Sequence, residues 1–126
     1  MHQIKVRGFT LVEMLVVLAV LALLLGIAAP RYVEHVDRAR EAVLRQNLAT
    51  MRDAIDKFKS DRDRFPHDLQ ELVQARYLKA VPVDPMTESS DTWQIMNPVG
   101  ASTGEVSDVH SGAPGAGRDQ SLYASW

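Results

Sequence analysis

Glu13 is the residue whose setting demands chemistry. It is the one charge in an otherwise almost wholly apolar run from Phe9 to Ala29. A carboxylate in hydrocarbon costs on the order of a few kcal/mol, so it needs a partner. The run contains no Lys, Arg or His, and the partner is expected from elsewhere. Directly before Phe9 stands Gly8, at the end of a short basic leader, MHQIKVRG, with Lys5 and Arg7. A secretory signal places its small-residue cleavage site after the apolar segment. Here the small residue comes first. Cleavage after Gly8 would keep the whole apolar segment on the product and free an amine at Phe9. That amine is a cation for Glu13. Within one helix the two lie four residues apart, and a neighbouring copy staggered by about one turn pairs them more directly.

No catalytic constellation accompanies this pair. His2, His35, His67 and His110 are scattered, and no Gly-x-Ser-x-Gly, phosphate loop or His-Glu-x-x-His occurs. His110 and Ser111 are adjacent, the wrong arrangement for a base and nucleophile that must face each other. With no cysteine, neither a disulfide nor a thiolate metal site can form. A small exported domain without a disulfide needs another staple, such as a bound ion or assembly itself. The 126 residues suit one small domain plus a helix. Net charge is −2, and losing Lys5 and Arg7 with the leader makes it −4, which argues against a nucleic-acid partner.

The elements that must position these residues follow from periodicity. The 21 positions from Phe9 to Ala29 make a helix of roughly 31 Å, matching a bilayer's hydrocarbon core. Pro30 removes one backbone donor and is expected to bend the helix without ending it. Residues 31–62 read as one amphipathic helix. Leu44, Leu48, Met51, Ile55 and Phe58 fall at helical spacing and form its inward stripe, which Val33, Val36 and Val43 extend less regularly. Its mixed-charge side is free to meet neighbouring copies. The run Asp61-Arg62-Asp63-Arg64 reads as a solvated helix end, and Phe65-Pro66 stops the helix. A short helix over 67–76 is expected next, with Leu69, Leu72 and Val73 inward and Asp68 in its first turn. Pro82 and Pro85 exclude helix and central strand. Trp93 and Ile95 alternate in a strand over 91–96, a turn spans 97–104, and a second strand covers 105–110. A Gly-rich loop, 111–117, follows, and Leu122, Tyr123 and Trp126 pack back on the sheet. The expected fold is α+β: a long N-terminal helix, half membrane and half amphipathic, against a small antiparallel C-terminal sheet.

The run Gly8-Phe9-Thr10-Leu11-Val12-Glu13, with Pro30 beyond it, resembles the type IV prepilin signature. Further on, Phe65-Pro66, Tyr77-Leu78, Asp84-Pro85, Trp93 and Asp108-Val109-His110-Ser111 with the Gly-rich loop resemble the G-type pseudopilins of type II secretion systems. Type IVa pilins usually run longer and carry a C-terminal cysteine pair, so the short cysteine-free chain sits nearer the pseudopilins. The resemblance implies three segments: leader 1–8, apolar assembly helix 9–30, and pilin-type domain 31–126. It implies cleavage between Gly8 and Phe9 by the prepilin peptidase, N-methylation of Phe9, and assembly through Glu13 and Pro30. It further implies a non-enzymatic filament subunit, polymerising with itself and minor pseudopilins on an inner-membrane assembly platform. The alternative is a surface type IV pilus subunit. The resemblance also places the domain in the periplasm, whereas Arg31, Arg38, Arg40 and Arg45 would by the positive-inside rule keep it cytoplasmic. Finally, G-type pseudopilins are similar to one another in binding calcium in the C-terminal loop. Asp108, Ser111 and Asp119 are the matching positions, since Asp oxygens with carbonyls of a Gly-rich turn suit calcium. The loop here departs from the pattern, reading Gly-Ala-Pro-Gly where an Asp often replaces the Pro. The plain alternative is that Asp108 and Asp119 are turn residues bonding backbone amides.

Overall fold

A computed structural model describes residues 8–100 and 104–126. The leader, apart from Gly8, and residues 101–103 of the expected turn lie outside the described residues. The element order is α1 (Leu11–Arg62), α2 (Leu69–Gln74), β1 (Gln94–Met96), β2 (Asp108–His110) and a closing 3-10 turn, Tyr123–Ser125. The chain divides into two compact units, one ending at Asp37 and one running from Arg38 to Trp126.

Helix α1 starts where Thr10 caps it and passes through Pro30 without interruption. It stops because Asp63 adopts a left-handed conformation (φ 55°) and donates its N–H back to the Lys59 carbonyl at 2.9 Å. In the first unit Leu11 through Ile27 present their large apolar side chains outward. That segment of α1 is long and apolar enough to cross a membrane.

The second unit holds the core. The stripe Leu44, Leu48, Met51, Ile55 and Phe58 is fully buried, joined by Ala54, as the spacing predicts. Each such side chain contributes about 1.5–3 kcal/mol of burial. Leu69 and Leu72 of α2, with Leu78, Trp93, Val106 and Val109, cover it. Tyr77 closes edge-on over Phe58 at 5.5 Å between ring centroids. The indole of buried Trp93 donates to the Pro82 carbonyl at 2.8 Å, so its one polar atom is satisfied.

Several expectations are corrected. Val33 and Val43 are exposed and do not extend the core stripe, because the buried face begins at Leu44. Asp68 is not in the first turn of α2. It is the N-cap, accepting the Glu71 N–H at 2.7 Å. Val73 is half-buried but packs against the core as expected. Both strands shrink to three residues, paired antiparallel as Gln94 with His110, Ile95 with Val109 and Met96 with Asp108. Ile95 faces the same side as its partner Val109, yet stays exposed while Val109 is buried. Trp93, just ahead of β1, takes the core position instead. The Gly-rich loop approaches closely at Gly112, where an added Cβ would lie 2.0 Å from the Thr92 carbonyl oxygen.

Candidate functional site

The N-terminal motif is built on the first turn of α1. The Thr10 carbonyl accepts the first helical bond, from the Met14 N–H at 3.1 Å. Its hydroxyl accepts the Glu13 N–H at 3.1 Å, and the Glu13 carboxylate accepts the Thr10 N–H at 3.3 Å. Two otherwise orphaned donors are satisfied reciprocally, which is a capping box. The carboxylate therefore has a local hydrogen-bond partner besides any cation. The signal was present in the sequence as Thr-x-x-Glu opening an apolar run. Capping satisfies hydrogen bonds but not charge. Among the described residues no cation pairs with Glu13, and it shares an apolar groove with Phe9, Val12, Val16 and Val17.

Gly8 and Phe9 precede the helix and are exposed. An added Cβ at Gly8 would meet nothing within 4 Å among the described residues. Crowding by the described residues therefore does not require glycine there. Pro30 lies inside α1, exposed and some four to five turns beyond Glu13. The structure thus brings Gly8, Phe9 and Glu13 to one helix start and leaves Pro30 apart from them.

The three loop residues matched to a calcium site each have another partner. Asp108 Oδ1 accepts from Arg52 Nε at 2.8 Å and from the Val109 N–H at 2.8 Å. Burial pushes its carboxyl up, but the Val109 amide, Arg52 and His110 together hold it below the ordinary value. Asp119 Oδ1 accepts from the hydroxyl and N–H of Ser121, which hold its carboxyl down, and Oδ2 faces Arg45 at 3.4 Å. Ser111 is fully buried and donates to Asp84 Oδ2 at 2.6 Å. Asp84, between Pro82 and Pro85, is itself fully buried. It does hold its turn, accepting the Met86 N–H at 2.8 Å, but it also ties that turn to the Gly-rich loop through Ser111. Asp108 and Asp119 are held by arginines two turns, about 10 Å, apart on α1. Among the described residues no group of three or more His, Cys, Asp or Glu could hold a metal.

Comparison with known proteins agrees with the motif. Residues 4–29 match the prokaryotic N-terminal methylation motif. Over 95% of its length the chain is 27% identical to the type II secretion system core protein G of Klebsiella pneumoniae, covering 94% of that protein. It is 29% identical over 68% of its length to core protein G of Pseudomonas aeruginosa, covering 71% of it. It is 32% identical over 52% of its length to the type IV major pilin protein PilA of Myxococcus xanthus, but spans only 30% of that pilin. No solved structure matches the chain.

Proposed function

We propose that this chain, which carries the N-terminal methylation motif and is similar over most of its length to core protein G of type II secretion systems, is a structural pseudopilin subunit. It is made with a leader, cut between Gly8 and Phe9 by the prepilin peptidase, and N-methylated at Phe9. Its domain lies in the periplasm, anchored in the inner membrane by a single apolar helix. It then polymerises, with itself and minor pseudopilins on an assembly platform, into a short filament that drives protein secretion. It performs no chemistry of its own.

The observation that carries this reading is the state of Glu13. Its hydrogen bonds are met by Thr10, its charge by nothing described, and the surface around it is apolar and open. A second copy shifted by about one turn brings the Phe9 amine to it and covers the same apolar surface. A wrong register leaves a desolvated charge unpaired, which costs several kcal/mol. Such a head-to-tail contact does not close and so extends as a filament. Gly8 supports the processing step, because a glycine that no described residue crowds is explained by an enzyme whose cleft must admit the backbone.

The test is Glu13→Ala. It is expected to be processed normally and to assemble poorly, read by crosslinking between neighbouring copies. Wild-type crosslinking from this variant sinks the pairing argument. The pilus reading draws on the Myxococcus match and is separated by imaging, since long surface fibres at native expression favour it.

A further inference from the structure

We propose that the C-terminal loop closes on fixed arginine charges of α1 rather than on a metal ion, with Arg52 occupying the place of the cation. The Arg52 guanidinium collects three oxygens from two distant segments. These are Asp108 Oδ1 at 2.8 Å, the Val109 carbonyl at 2.9 Å, and the backbone oxygen of Trp126. One side-chain carboxylate and two main-chain oxygens are the donor types a hard divalent cation would recruit from a turn. Here a side chain already saturates them. His110 Nδ1 donates to the same Trp126 oxygen at 3.0 Å, closing the set.

Arg45 repeats the arrangement two turns earlier on the same face of α1. Its guanidinium lies 3.8 Å from the centroid of the Trp126 ring and reaches Asp119 Oδ2 at 3.4 Å. The ring in turn sits over Gly117, where an added Cβ would lie 2.3 Å from its edge, and its indole donates to Ser121 at 2.6 Å. A cleft lined by Arg45, Leu48, Ala49, Arg52 and Trp126 runs between the two guanidinium groups. Its charged walls are these two guanidinium groups, each already paired with an aspartate. The third matching residue, Ser111, has its oxygen engaged by Asp84 and by the Ala113 N–H at 3.1 Å. For calcium to bind through these residues it would have to evict Arg52 from Asp108, and the displaced guanidinium would remain beside it as a like charge. The residues do not fit the ion, and they supply the staple that a small cysteine-free domain needs.

The inference concerns how the domain is held and stands whether or not the chain forms filaments. It is tested on the full chain in detergent by thermal unfolding, followed through the near-UV signal of Trp126 and Tyr123. The midpoint of the unaltered protein is expected to be the same in EDTA and in millimolar calcium chloride. A midpoint raised by calcium or lowered by EDTA overturns the proposal. Arg52→Met is expected to lower the midpoint by roughly 5 °C or more. Arg52→Lys, which keeps the charge but not the fork, is expected to fall between. An unchanged midpoint in Arg52→Met also overturns it. If that variant does not fold, the calcium comparison on the unaltered chain still decides.

Discussion

At the scale of single residues, two glycines make opposite predictions. Gly8 has open space around it, while Gly112 lies against the Thr92 carbonyl. Gly8→Ala is expected to leave the thermal midpoint unchanged and abolish cleavage, read by mass spectrometry of the membrane fraction. Gly112→Ala is expected to leave cleavage intact and destabilise the domain, since backbone must move to admit the methyl. Asp84 supplies a third case. Removing its carboxylate orphans Ser111 and the Met86 amide in a buried place, a cost of about 1–3 kcal/mol for Asp84→Ala in chemical denaturation. Asp84→Asn keeps an acceptor and is expected to lose less. Glu13 was legible as a charge out of place, and its capping role was legible too, from Thr10 three residues before. Burial of Asp84 was not. An Asp-Pro pair reads as a surface turn, and only the distant Ser111 shows otherwise.

Among the elements, the two α-helices start by one device. Thr10 and Glu13 open α1, and Asp68 and Glu71 open α2, where the Glu71 carboxylate also accepts the His67 N–H at 2.6 Å. The lower half of α1 could be read from composition, and its upper half from the 4, 3, 4, 3 spacing that places Leu44 to Phe58 in the core. That spacing makes Phe58 the keystone of the second unit, and Phe58→Ala is expected to cost about 3–5 kcal/mol of unfolding free energy. The strands were less legible. Alternation over 91–96 marks extended chain, but how much of it pairs depends on a partner segment more than ten residues away. A two-stranded sheet also leaves positions such as Ile95 uncovered, which periodicity alone cannot foresee.

For the whole molecule, charge pairs between distant segments hold the C-terminal region, and none of them shows in local sequence. Arg52 with Asp108 and Arg45 with Asp119 join positions that only the fold brings together, while Arg64 with Glu71, seven residues apart, ties the end of α1 to α2. Their acid behaviour follows. Glu71, through Arg64, and Asp108 and Asp119 have carboxyls held below the ordinary values of 4.5 and 3.8. Their stabilisation is present above those values and is lost as pH falls through the lowered ones, so it declines progressively below about pH 4. The near-UV signal of the closing aromatics is expected to decay there, and a signal unchanged down to about pH 2.5 would contradict the ion-pair account. The bare greasy cylinder from Leu11 to Ile27 has a different consequence. Such a rod is disfavoured in water, so the proposed assembly requires its passage from lipid to the apolar surface of a neighbouring copy to be a direct handover. On the proposed reading, growth is thereby confined to the membrane surface.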